Sequence, residues 1–252
     1  MKKLLSVLSL LSISLAMNAA DTRCFELRTY HAAPGKLDAL QKRFREHTAS
    51  LFAKHGMENI GYWVELDKDG TPTNTLTYLL AYPSREARDK SWKAFGADPD
   101  WKAVVKESEA NGRLVQKVVS RFLAATDYSP VVKPSKKDPP RVFELRTYTT
   151  APGRLEPLHA RFRDHTIALF KKHGMENFGY WTPMDAKDGA DNTLIYILAH
   201  KSREAAAESF KAFREDPDWV AAKKASEEKA GGSLTTKVES VFMTPTDYSA
   251  TK

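Results

Sequence analysis

Phe25-Glu26-Leu27-Arg28-Thr29-Tyr30 returns, residue for residue, as Phe143-Glu144-Leu145-Arg146-Thr147-Tyr148, 118 positions further along the chain. Around it Ala33-Pro34-Gly35 returns as Ala151-Pro152-Gly153, and Lys54-His55-Gly56-Met57-Glu58-Asn59 as Lys172-His173-Gly174-Met175-Glu176-Asn177. Between Phe25 and Trp63, 27 of 39 positions match their twins, far beyond coincidence, so the chain carries one unit twice. The match runs on through Asp98-Pro99-Asp100-Trp101 with Asp216-Pro217-Asp218-Trp219. After two extra residues at Gly231-Gly232, Thr126-Asp127-Tyr128-Ser129 answers to Thr246-Asp247-Tyr248-Ser249. Insertion in a glycine-rich stretch marks a loop.

Each copy predicts an α+β unit. In Cys24 to Tyr30 polar and apolar residues alternate, which reads as a strand with Phe25, Leu27 and Thr29 on one face and Glu26, Arg28 and Tyr30 on the other. Pro34-Gly35 turns into a helix with Leu37, Leu40, Phe44, Leu51 and Phe52 along one stripe, ended by Gly56. Strands follow over 57–66 and 76–82. Ser84 then opens a second helix, Asp98-Pro99 restarts it in a new direction, and 115–123 is the fourth strand. The order β-α-β-β-α-β is the ferredoxin-like arrangement, with helices on one face of a sheet. The bare faces of two such sheets can cover each other, which predicts a barrel closed within the chain; pairing with a second chain as a homo-oligomer is the alternative. The division is residues 21–129, a Pro/Lys-rich linker at 130–140, and 141–252, read as an extended solvated spacer between the units.

Residues 1–20 read as a cleaved export signal. Lys2 and Lys3 precede the apolar run from Leu4 to Met17, too short for a permanent span, and small residues follow at Ala19-Ala20. A periplasmic or secreted protein without a stable membrane anchor is therefore expected. Its mean hydropathy of −0.49 and 28% charged residues describe a water-soluble domain, and its single cysteine, Cys24, leaves stability to ordinary cores. The +7 charge is scattered, with Lys133, Lys136, Lys137 and Arg141 its one concentration, among prolines. Nothing in it points to nucleic acid.

The linked motifs Phe-Glu-Leu-Arg-Thr-Tyr, Ala-Pro-Gly, His-Gly-Met, Gly-Tyr-Trp and Asp-Pro-Asp-Trp resemble the NIPSNAP family, whose domain belongs to the dimeric α/β barrel group. The resemblance spans both copies. It implies the barrel, and it implies no reaction, because the wider group holds monooxygenases and haem enzymes alike while mitochondrial NIPSNAP members are tied to vesicle traffic and mitophagy signalling.

If Phe25 and Leu27 face the helices, Glu26, Arg28 and Tyr30 and their twins Glu144, Arg146 and Tyr148 line the barrel interior. Trp63 and Trp181 on the second strands and Lys117 and Lys237 on the fourth are then further candidates for a ligand site. A carboxylate, a guanidinium and a phenol on successive inward positions are costly to bury without partners. They could bind a small molecule, an anion included, or could neutralise one another as a structural network in a protein-interaction module. No metal or cofactor is called for: His47 and His165 stand two turns from His55 and His173, and there is no phosphate loop or nucleophile elbow. Asp67-Lys68-Asp69-Gly70 reads as a turn. His55 and His173 are expected to cap helices, Trp101 and Trp219 to pin them, and Cys24, twinned by Val142, to be inert. Haem-dependent or cofactor-independent oxygenation is the least favoured reading, since these histidines lie on the first helix.

Overall fold

The computed structural model of the protein describes residues 21–252; the export signal expected at residues 1–20 lies outside them. The first copy runs β1 (Cys24–Ala32), α1 (Leu37–Arg43), a π-helical turn at Phe44–Thr48, α2 (Ala49–Lys54), β2 (Glu58–Leu66), β3 (Pro72–Tyr82), α3 (Arg85–Ala97), α4 (Pro99–Ser108) and β4 (Val115–Ala125). The second repeats it as β5 (Val142–Thr150), α5 (Leu155–Arg161), a π turn at Phe162–Thr166, α6 (Ile167–Lys172), β6 (Glu176–Pro183), β7 (Thr193–His200), α7 (Arg203–Glu215), α8 (Pro217–Lys229) and β8 (Thr235–Pro245). The expected order holds in both copies.

Local chemistry sets the boundaries. Ser84 Oγ accepts the Ala87 amide at 3.2 Å and Asp98 Oδ1 the Asp100 amide at 2.8 Å, so α3 and α4 start on side-chain caps. Gly56, at φ +77°, turns the chain out of α2. The π turns were not legible in the sequence; in each, a threonine hydroxyl (Thr48, Thr166) donates to the carbonyl five residues back, at 3.2 and 3.1 Å. His55 Nε2 lies 2.6 Å from Asp98 Oδ2, so the ring ties the end of α2 to the start of α4 rather than closing its own helix.

All neighbouring strands are antiparallel. The two sheets, β4-β1-β3-β2 and β8-β5-β7-β6, join through short seams, Trp63–Glu65 on Met243–Pro245 and Leu123–Ala125 on Trp181–Pro183, into one closed eight-stranded barrel. Phe25, Leu27, Trp63, Leu79, Leu123, Phe143, Trp181, Ile195, Ile197 and Met243 pack its interior. In Gly61-Tyr62-Trp63 the indole folds back over Gly61, where any Cβ would collide with it, while Tyr62 points the other way into the helix-side core. Gly179 serves Trp181 in the same way.

The Thr-Asp-Tyr-Ser motifs cross between halves. Asp247 pairs with Arg45 through two bonds of 2.7 Å, and Ser249 Oγ accepts the Tyr62 amide at 2.9 Å; Asp127 with Arg163 and Ser129 with Tyr180 repeat the contacts. Tyr248 therefore completes the first copy's helix-side core and Tyr128 the second's. The linker is exposed over most of its length, as a solvated spacer would be, but it is anchored at two points. Val132 is fully buried in the barrel core, and the backbones of Ser135 and Lys137 bond to that of Lys252.

Candidate functional site

The strand faces are the reverse of the expectation. Phe25 and Leu27 point into the barrel; Glu26 and Arg28 point outward beneath α3 and Tyr30 outward against Phe44, as Glu144 and Arg146 do beneath α7 and Tyr148 against Phe162. Alternation defines two faces without saying which is the lumen. A narrow lumen between two sheets suits wholly apolar side chains, whereas the tyrosines of the outer face bury their rings against helices and keep hydroxyls for polar partners. Trp63 and Trp181 thus lie on the opposite side of the sheet from the polar triads, and Lys117 and Lys237 are exposed on β4 and β8, Lys237 paired with Glu239 at 2.8 Å. The ten residues do not form one site.

In the first copy the outward cluster is sealed. Glu26, fully buried, accepts from Arg28 Nη1 at 2.5 Å, Arg88 Nε and Nη2 at 3.0 and 2.7 Å, Trp92 Nε1 at 3.0 Å, Tyr82 Oη at 3.1 Å and Ser120 Oγ at 2.7 Å. Arg28 is held in turn by Tyr78 and Tyr30 at 2.9 and 3.1 Å and lies 4.2 Å from the Trp92 ring. Burial works against the Glu26 charge, but the Arg88 hydrogen bonds and the Arg28 charge outweigh it and hold the carboxyl down at about 2.

The second copy keeps the floor and thins the cover, although Glu144 itself stays buried at 2% exposure. Glu144 is bonded by Arg146 Nη1 and Ser240 Oγ, and His200, standing where the first copy has Tyr82, places Nε2 3.2 Å from Glu144 Oε2. Arg146 is held by Tyr196 and Tyr148 at 2.9 and 3.2 Å, as Arg28 is by its own tyrosines. Arg88 is replaced by Ala206 and Trp92 by Phe210. Ser202 caps α7 and phases it so that Arg203, Ala206, Ala207, Phe210 and Arg214 form one stripe over the sheet. Beneath that stripe a cleft of about 610 Å³ opens onto Glu144 and Arg146, walled by Phe210 and Phe242, with Arg203, Glu204 and Arg214 around its mouth. Burial raises the Glu144 carboxyl, but the His200 bond and the Arg146 charge bring it below the usual carboxylate range.

Reading the copies for likeness found Glu26, Arg28 and Tyr30. It missed Arg88, Trp92, Ala206, Phe210, His200 and Arg214, because these are the positions where the copies differ. The remaining candidates behave simply. Asp67 Oδ1 accepts the Asp69 and Thr71 amides, making the expected turn; Trp101 and Trp219 pack 4.4 Å from Phe95 and Phe213, and Cys24 is buried, which pushes its thiol up.

The Glu26 cluster makes stability acid-sensitive. Its folded pKa lies below the ordinary 4.5, so its contribution is present above 4.5 and is lost as pH falls from there through about 2. The loss is about 3 kcal/mol at full protonation. Urea unfolding at pH 6 and pH 2 should show Glu26→Gln losing less stability on acidification than the parent; parallel losses would refute the assignment.

Two segments of the chain, residues 25–130 and 143–250, match the family model NIPSNAP. No curated protein matches the chain. Among solved structures it resembles an anthrone oxidase-like protein, at 13% identity and a TM-score of 0.57 over 92% of this chain and 95% of that one. It also resembles a putative monooxygenase of Fusobacterium nucleatum, at 11% identity and a TM-score of 0.56 over 89% and 92%. A NIPSNAP family protein of Agrobacterium tumefaciens is 26% identical over 43% of this chain and 98% of that one, with a TM-score of 0.38. The first two likenesses carry the barrel fold and no chemistry. The duplicated motifs on β1 and β5, the two matched segments and the closed barrel agree, and the chain belongs to the NIPSNAP family through both of its halves.

Proposed function

We propose that this is an exported small-molecule-binding protein whose ligand enters the cleft beneath α7, with Glu144 and Arg146 as its polar floor and Phe210 and Phe242 as its apolar walls. The observation that carries the reading is Ala206 standing where the first copy has Arg88. One polar cluster is closed by its own side chains, and its twin has had the closing side chain cut back to a methyl group. A cleft with aromatic walls and a few convergent charged groups is the usual form of a small-ligand site. Tryptophan, phenylalanine and methionine pack the barrel interior, which favours the outer cleft over the lumen, and no reaction is assigned to it.

The test is to refill the cleft. Compounds that raise the melting temperature of the chain should lose their effect on Ala206→Arg, in which the new guanidinium reaches Glu144 as Arg88 reaches Glu26; the unliganded variant should melt no lower than the parent. Stabilisation that persists undiminished in a folded Ala206→Arg protein would place the ligand elsewhere. Export is tested separately by N-terminal sequencing of the chain from a periplasmic fraction, which should begin near Asp21.

A further inference from the structure

The repeat carries its own bound-state template. In the first copy the space beneath α3 holds the Arg88 guanidinium, with Nε and Nη2 bonded to the two oxygens of Glu26 and its carbon 5.1 Å from the Trp92 ring and 4.9 Å from the Phe122 ring. The second copy retains the groups that receive it: Glu144 for Glu26, Phe210 for Trp92 and Phe242 for Phe122. The guanidinium is missing, and with it two groups at its rim: Asp89, which holds Arg88 Nη1 at 3.1 Å, is Ala207 in the second copy, and the Trp92 indole donor is lost at Phe210. Resting on the cleft-binding reading, we infer that the ligand is a guanidino compound, seated with its planar cation on the Glu144 carboxylate between Phe210 and Phe242.

The neighbouring cations do not forbid this. Arg146 is engaged by Glu144, Tyr196 and Tyr148, and Arg203 donates to the Lys68 carbonyl at 2.6 Å. Their twins Arg28 and Arg85 surround Arg88 in the first copy, where Arg28 is tied to Glu26 and Arg85 to Asp185 at 3.2 Å, and Arg88 stays in place. His200 meets Glu144 on the oxygen that Tyr82 meets in Glu26, so it too has a counterpart beside the template cation. Glu204, the twin of Glu86, adds a negative charge at the mouth. The new element is Arg214 in place of Gly96. It is exposed, lines the mouth and makes no ion pair among the described residues. A second positive charge on the ligand would meet repulsion there and a carboxylate would be welcomed, so the class narrows to guanidino acids.

Isothermal titration of the mature chain with 4-guanidinobutyrate, 4-aminobutyrate, agmatine and citrate tests this. The guanidino acid should bind at one site, and 4-aminobutyrate should bind about tenfold more weakly, because an ammonium cannot give a carboxylate two parallel bonds. Glu144→Gln should weaken the guanidino acid and Ala206→Arg should abolish it. Arg214→Ala should remove its advantage over agmatine, and Arg88→Ala should raise its stoichiometry from one to two by opening the twin site. If citrate binds, is lost in Ala206→Arg, and neither guanidino compound binds, the cleft is a site for anions and the guanidinium assignment is overturned alone. If the guanidino acid binds but survives Ala206→Arg, both the assignment and the cleft reading fall.

Discussion

Trp63→Ala should cost about 3–5 kcal/mol, the usual range for emptying a large aromatic from a close-packed core. Its indole is fully buried, 5.4 Å from Phe143 and 6.2 Å from Phe178, so it joins strands of both halves across the barrel. Gly61 and the second copy's sheet leave little that could collapse into the void. The indole N–H has no partner among the described residues, however, and a buried unpaired donor is itself unfavourable by about 1–3 kcal/mol. Trp63→Phe removes that donor together with part of the ring, and should cost far less than the alanine variant. Urea denaturation of both variants decides the matter. Equal losses, or a loss below about 1 kcal/mol for alanine, would mean that the lumen is not the packed core described.

Glu26→Ala should be comparably severe, at about 3–5 kcal/mol, because it strands two guanidiniums beneath α3 and leaves Arg28, with a tenth of its side chain exposed, without its carboxylate. The same change at Glu144 should cost clearly less. Glu144 faces a single guanidinium and an imidazole, and the cleft beside it gives water a route to Arg146. Paired denaturation curves for the two alanine variants measure that inequality directly. A larger loss at Glu144 would contradict the view that one cluster is structural and the other open.

Much of this architecture was legible in the residues. The strand order, the caps at Ser84 and Asp98 and the closure of two sheets into a barrel follow from periodicity, turn chemistry and duplication. The inward and outward faces of β1 do not, since both sides of the strand are buried and Phe-Glu-Leu-Arg-Thr-Tyr reads equally well either way. A better signal lay on β3, where Tyr78, Leu80 and Tyr82 make the helix-side row and Leu79 and Ala81 the lumen row. Tyrosine seeks an edge where its hydroxyl finds a partner, and Leu-Ala suits a narrow interior. The π turns arise from threonine bonds to a carbonyl five residues back, which no hydrophobic period encodes. Val132 was hidden by the prolines and lysines around it. The cleft was written in the differences between the copies, at 88 against 206 and 92 against 210, which a search for sameness passes over.

The crossed Thr-Asp-Tyr-Ser clasps have a consequence for how such a protein can change. Each half borrows a tyrosine and an aspartate from the other, as two subunits of a symmetric pair would. In an assembly of identical chains, any substitution at the Arg88 position is made twice, and both carboxylates lose that guanidinium at once. Joining the two units in one polypeptide lifts that constraint. One carboxylate can keep its guanidinium and anchor the fold while its twin gives one up, so that covalent tandem linkage permits a division of labour that identical partners related by a two-fold axis are denied.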